Sequence, residues 1–137
     1  YSFAESKMGS PFNIIIISDD SAKAVTLARQ SYALVDSFNH VFSDYDPTSE
    51  LSRLNARAGN GLQAVSPALW AIISRSELAY RKSKGAFDIT IGPFSKLWRK
   101  SRKDKLFPDT LAVSEKRKLV GFHRLIIDSA QPLVRLP

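Results

Sequence analysis

Two short stretches of this chain carry residue types that bind and orient ligands. Asp44-Tyr45-Asp46 falls between two segments of helical periodicity, and loops on a rigid scaffold are common binding positions. The Tyr45 ring can stack on a planar ligand while its hydroxyl hydrogen-bonds. The plainer alternative is that Asp44 and Asp46 make turn and capping bonds while Tyr45 covers the core. Gly85-Ala-Phe-Asp-Ile-Thr-Ile-Gly-Pro93 is the more specific stretch. Gly85 allows a ligand close to the backbone. Asp88 can accept hydrogen bonds from ribose hydroxyls, and a helix opening near Pro93 would turn free N–H groups toward an anion. The glycine spacing matches none of the phosphate-binding loops, and a bulged core strand followed by a capped helix is the alternative. Met8, in the Met8-Gly-Ser-Pro11 segment, is either a flexible apolar lid on a ring or part of the core.

Other chemistry finds no support. His40 and His123 have no partners at metal-ligand spacing; His40 sits near a helix end, His123 is expected to open a strand, and both read as structural or surface residues. No Ser/His/Asp grouping or carboxylate pair stands out. The absence of cysteine excludes disulfides, thiolate metal sites and a cysteine nucleophile. No catalytic residue and no metal ligand is therefore assigned within the chain.

The elements that must position these residues follow from the pattern. With 137 residues, 44 % hydrophobic and 24 % charged, the chain has the length and composition of one globular domain. Phe12–Ile17 reads as a buried strand, and its apolar run is too short to span a bilayer. Asp20 or Ser21 caps a long amphipathic helix through Ala24, Leu27, Ala28, Leu34, Val35 and Phe38, which Pro47 ends. A short helix starts at Ser49-Glu50 and stops at Gly59-Asn-Gly61. Leu62–Val65 is a candidate strand. Ser66-Pro67 opens the next helix, which runs to Gly85. Phe87–Ile91 is expected to be a strand and Gly92-Pro93 to open a helix with a basic end; Asp109 or Thr110 caps another. Arg124–Asp128 and Leu133–Leu136 close the chain as a hairpin. The order predicts an α+β fold, helices packed on a mixed or antiparallel sheet. The terminal hairpin leaves an unpaired edge, and with a first residue that is not methionine this suggests an incomplete part of a larger domain, cut or processed at its N-terminus.

Taken together, Met8-Gly-Ser-Pro-Phe12, Phe42-Ser-Asp-Tyr-Asp-Pro-Thr-Ser-Glu-Leu-Ser-Arg-Leu-Asn55, Ser83-Lys-Gly-Ala-Phe-Asp-Ile-Thr-Ile-Gly-Pro93 with Leu97-Trp98, and Val120-Gly121 before the last hairpin resemble the FAD:protein FMN transferases, also known as ApbE-like thiamine-biosynthesis lipoproteins. The resemblance covers nearly the whole chain. It implies a bacterial, exported and often lipid-anchored enzyme on the periplasmic side of the inner membrane. Such an enzyme uses magnesium to cleave FAD and attach FMN to a Ser or Thr of an acceptor, a flavoprotein subunit of a membrane redox complex; some members hydrolyse FAD instead. Carried over by matching positions, Met8, Tyr45, Ala86, Phe87 and Asp88 are the expected FAD contacts, while Gly85, Thr90 and Gly92 shape the strip. The resemblance also implies an Asp-x-Gly-Gly-x-x-x-Gly-Tyr-like segment and the magnesium ligands beyond Pro137, so residues 1–137 would be the N-terminal portion of a single flavin-transferase domain, inactive alone. The run Arg99–Lys105 stands where many such proteins have a Gly-Phe-Gly-like turn.

Charge supplies the competing reading. The formal net charge of +7 lies entirely in residues 96–137, which hold eleven Lys or Arg against four Asp or Glu. This is either a solvated helix face or a basic module for nucleic acid or an anionic surface, without catalysis. No aromatic ladder interleaves the basic residues, which argues against single-stranded nucleic acid. A third reading is a structural piece that completes its core by pairing with another chain.

Overall fold

The structure, a computed structural model, describes all of residues 1–137. It is α+β, with every strand pair antiparallel, and divides into two compact units, Tyr1–Ala56 and Arg57–Pro137.

The first unit is a hairpin and two helices. β1 (Ser2–Lys7) pairs with β2 (Ser10–Ile15) from Ser2↔Ile15 to Lys7↔Ser10. The two-residue connection has Met8 at φ 51 and Gly9 at φ 74, the positive angles that a hairpin loop matching the strand twist requires. α1 (Ser21–Phe42) is capped by Asp20, whose Oδ1 accepts from the Lys23 N–H at 3.0 Å. Its buried stripe is Ala24, Ala28 and Tyr32, spaced four apart on one face, and the two alanines keep that stripe shallow. The Tyr32 hydroxyl donates to the Phe12 carbonyl at 3.2 Å, and Lys7 Nζ sits 5.7 Å from the Tyr32 ring centroid. Lys7 also pairs with Asp36 at 2.7 Å and Glu5 at 3.1 Å, and the hydrogen bond to Asp36 is the leading cause of its raised pKa. α2 (Glu50–Ala56) buries Leu54.

Three expectations for this unit change. The strand is Ser10–Ile15, not Phe12–Ile17, and it is not buried: Ile15 and Ile17 are exposed. Its partner β1 was not expected, because Ser-Phe-Ala-Glu-Ser-Lys lacks β-branched residues; pairing and the Met8-Gly9 turn make it a strand. Leu27, Leu34 and Phe38 of the periodic stripe lie exposed, whereas Tyr32 is buried.

The second unit sets helices against a small sheet. β3 (Gln63–Ala64) and β4 (Ile126–Ile127) flank β5 (Leu133–Arg135) in the order β3-β5-β4. The terminal strand is thus paired on both sides and is not the open edge expected; the edges are two-residue strands, short enough to offer little template for further pairing. α3 (Pro67–Lys82) has Ser66 as N-cap, its Oγ accepting from the Leu69 N–H, with proline at the first turn. Leu69, Ile73, Val65, Phe122 and Val134 form the apolar core. Trp70 Nε1 donates to the Asp128 carbonyl at 3.2 Å. Phe87–Ile91 is not a strand: Ile89–Ile91 form a 3-10 turn leading into α4 (Gly92–Asp104). α5 (Thr110–Arg117) is capped by Asp109. His123 sits in a second 3-10 turn, Phe122–Arg124, before β4, rather than opening a strand.

Replacing Leu69 with Ala removes a side chain that is 2 % exposed and is expected to destabilise the second unit by about 2–5 kcal/mol. Leu111→Ala, on an exposed side chain, stays within about 0.5 kcal/mol. Equal midpoint shifts in urea would contradict this placement of the core.

Candidate functional site

The Ala86–Asp88 strip is held from both ends by its own sequence. At the near end, α3 stops through Lys84 at φ 54 and Gly85 at φ 85. Gly85 N–H reaches back to the Tyr80 carbonyl at 2.9 Å, a left-handed helix stop for which glycine is the unstrained residue. Ser83 then pins the strip: its carbonyl accepts from the Ala86 N–H at 3.1 Å and its Oγ from the Phe87 N–H at 2.9 Å. Ala86 and Phe87 remain exposed, so this rigid backbone presents an apolar side chain to solvent.

At the far end Asp88 acts as a clasp. Its Oδ1 accepts from the Thr90 N–H at 2.8 Å and from Thr90 Oγ1 at 2.6 Å. Its Oδ2 accepts from the Phe122 N–H at 3.1 Å. Thr90 Oγ1, having donated to Asp88, accepts from the Gly121 N–H at 2.8 Å. Gly121 and Phe122 are both buried. Two side chains thus satisfy two backbone donors 31 to 34 residues away, donors that would otherwise be buried without partners. The Phe122 ring stacks on Tyr80 at 4.9 Å. Gly121 has φ 154, and a Cβ placed there would lie 2.8 Å from His123 Cε1, so glycine is required. A carboxylate has about four acceptor positions; three are used here, so the role expected of Asp88 as a ribose acceptor is reduced to about one.

Gly92-Pro93 opens α4 without any side-chain cap, leaving the first-turn N–H groups to other partners. Asp88 caps the preceding 3-10 turn instead.

In the first unit, Tyr45 is 74 % exposed on a loop stiffened by serines and an aspartate. Ser43 Oγ accepts from the Tyr45 and Asp46 N–H groups at 3.3 and 3.1 Å. Buried Ser49 donates to the Ser43 carbonyl, as does Ser52 at 3.2 Å. Asp46 Oδ1 accepts from Thr48 N–H and Oγ1 at 2.8 and 2.7 Å. Those bonds, the side-chain one first, hold the Asp46 pKa below its ordinary 3.8. The ring is therefore presented on a fixed backbone and does not cover the core. Met8 lies at the hairpin tip, half exposed, in the left-handed region, where a non-glycine residue carries strain; it too is not core.

Sequence reasoning placed Met8 just ahead of the strand that contains Phe12 and Tyr45 in a loop between helices, where they are; it put Phe87 and Asp88 in a strand, whereas they lie between the α3 stop and the Ile89–Ile91 turn. It did not find Ser83 or the pairing of Asp88 and Thr90 with Gly121-Phe122. The Asp-x-Thr spacing was the available clue, because an aspartate commonly bonds a residue two positions on.

Known proteins supply the wider context. The sequence model of the ApbE family matches residues 8–137. The chain belongs to the ApbE family. Among named relatives, the FAD:protein FMN transferase of Klebsiella pneumoniae is 30 % identical over 120 residues, 86 % of this chain and 34 % of that protein. The FAD:protein FMN transferase of Chlamydia trachomatis is 27 % identical over 130 residues, 94 % of this chain and 41 % of that protein. Among solved structures, the flavin transferase ApbE of Vibrio cholerae superposes with a TM-score of 0.87 at 26 % identity, covering 99 % of this chain and 44 % of that one. The chain thus spans less than half the length of these ApbE relatives.

Thr90→Val removes the acceptor for the buried Gly121 N–H and is expected to cost about 1–3 kcal/mol, with faster amide exchange at Gly121, whereas Thr90→Ser retains both bonds. Unchanged exchange in the valine variant would contradict the clasp. A second expectation concerns pH. Because the folded-state pKa of Asp46 is depressed, its contribution is present above the unfolded value and is lost as pH falls through the folded one. A carbon-detected NMR titration should place its midpoint below 3.8, moving up in Thr48→Val; an unmoved midpoint would contradict the assigned cause.

Proposed function

We propose that residues 1–137 are the N-terminal, FAD-binding portion of a single FAD:protein FMN transferase domain. In this reading the whole enzyme attaches FMN to a Ser or Thr of a target protein and releases AMP. The observation that carries the proposal is the Ala86–Asp88 strip, fixed by Ser83, Thr90 and the Gly121–Phe122 turn, in a chain that matches the ApbE family from residue 8 to its end. Phe87 offers an apolar surface for a ring, and the remaining Asp88 acceptor position is available to a sugar hydroxyl. By the family resemblance Tyr45 and Met8 are also assigned to the flavin nucleotide, through a ring that can stack and a thioether that can contact a ring.

Magnesium is part of the reading. When bound, it neutralises phosphate oxygens as the leaving group departs. No group of three or more His, Cys, Asp or Glu side chains comes together here to hold a metal ion, and Asp88 is largely taken up by N–H and O–H donors. These residues do not form a magnesium cradle, and the ligands are placed in the remainder of the domain. What this portion contributes is orientation of the dinucleotide. The acceptor is a flavoprotein subunit of a membrane redox complex, and the protein works on the periplasmic side of the inner membrane as a lipoprotein. No helix of this chain is long and apolar enough to cross a membrane.

The test is covalent flavin transfer to an acceptor protein, read as in-gel fluorescence with FAD and magnesium present. A protein of full ApbE length carrying these residues is expected to transfer FMN, and Phe87→Ala or Tyr45→Ala to lower its kcat/KM at least about tenfold, the loss of roughly one stacking contact. Residues 1–137 alone are expected to give no adduct. Robust transfer by residues 1–137, or wild-type transfer in both variants, would overturn the assignment.

A further inference from the structure

The strongest feature outside the flavin strip is the helical hairpin α4–α5. An open cavity of about 260 Å³ is lined by Trp98, Ser101, Arg102, Lys105, Leu106 and Phe107. Lys105 ends α4 in the left-handed conformation, its N–H bonded to the Ser101 carbonyl, and Leu106 N–H reaches the same oxygen at 3.1 Å. This turn carries Leu106 and Phe107 off the helix, leaving them 71 % and 91 % exposed. The Phe107 ring meets Trp98 edge-on at 6.4 Å and 90°. Arg102, one turn after Trp98 on α4, and Lys105, at the helix stop, line the same cavity as Trp98. Residues 96–118 hold nine Lys or Arg against three Asp or Glu, a net of +6.

We propose that this hairpin docks on the surface of an anionic phospholipid bilayer. Leu106, Phe107 and the edge of Trp98 enter the boundary between headgroups and acyl chains, and the surrounding Lys and Arg lie on the lipid phosphates. The hairpin is complementary to such a surface in two ways at one place. A contiguous exposed apolar patch is unusual on a soluble surface, and here it sits inside the most basic segment of the chain. Basic residues around Trp, Phe and Leu are the composition of elements that lie in the membrane interface. Long basic side chains run along apolar surface and keep their charges at the phosphates, and indole and phenyl rings favour that depth. Nucleic acid would use the charges and leave Leu106 without a role; Trp98 and Phe107 meet edge to face at 90° instead of offering a row of parallel faces for bases. The inference does not depend on flavin binding.

The experiment is co-sedimentation of the 137-residue chain with vesicles of phosphatidylcholine containing roughly a third phosphatidylglycerol, a composition that gives a negative surface potential. Binding is expected, with no binding to pure phosphatidylcholine and a loss of about tenfold or more between low and high salt, where exposed charges are screened. Phe107→Ser, at a side chain too exposed to affect folding, is expected to abolish the blue shift of Trp98 emission, read in a Trp70→Phe background. Failure to bind anionic vesicles, binding indifferent to Phe107→Ser, or tighter binding to duplex DNA would each overturn the proposal. So would a Trp98 already shielded from acrylamide in a protein of full ApbE length, because that would assign the face to the rest of the domain.

Discussion

Two backbone N–H groups, those of Gly121 and Phe122, are buried far along the chain from the strip that satisfies them. The carboxylate of Asp88 and the hydroxyl of Thr90 close that distance with bonds of 3.1 and 2.8 Å. An unpartnered buried N–H is expensive, so the turn after α5 can be buried only if Asp88 and Thr90 stand where they do. The dependence runs the other way as well. A carboxylate receiving three donors is fixed in place, and with it the backbone of Ala86 and Phe87, already tied to Ser83 at the other end. Gly121 sits at φ 154, where a side chain carries strain and a Cβ would also press on the His123 ring, and Tyr80 stacked on Phe122 closes the arrangement against α3.

The same constraint explains what could be read from the sequence and what could not. Helix starts were legible because they are local: Asp20, Ser66 and Asp109 each accept from an N–H two or three residues on. The stop at Lys84-Gly85 was legible for the same reason. Phe87–Ile91 was misread because its alternating apolar and polar residues have the period of a strand; Asp88 and Thr90 are polar there because they bond Gly121 and Phe122, not because they face solvent. β1 was invisible since its conformation comes from its partner. The burial of Tyr32 instead of Leu34 or Phe38 depends on where Phe12 offers a carbonyl, which periodicity does not encode. The terminal strand looked like an edge because its second neighbour, Gln63–Ala64, lies some seventy residues earlier.

The candidate ligand residues share a structural feature: each sits where the backbone is punctuated. Met8 and Gly85 lie at positive φ, Tyr45 on a serine-laced loop, and Phe87 between a helix stop and a 3-10 turn. Motif resemblance proposes the positions, while the hydrogen bonds explain why the Ala86–Asp88 strip and the Tyr45 loop are rigid. They also redistribute the roles. Asp88 is first a clasp, and Phe87 is the apolar side chain that the clasped strip leaves exposed.

The central claim is that this fixed strip is a wall of a flavin-nucleotide site. The most direct measurement is an amide NMR titration of residues 1–137 with FAD up to millimolar concentration. The account predicts saturable shifts at Ala86, Phe87 and Asp88. Shifts confined to the basic α4–α5 hairpin, as the phosphates alone would produce, or no shift at the strip at all, would contradict it.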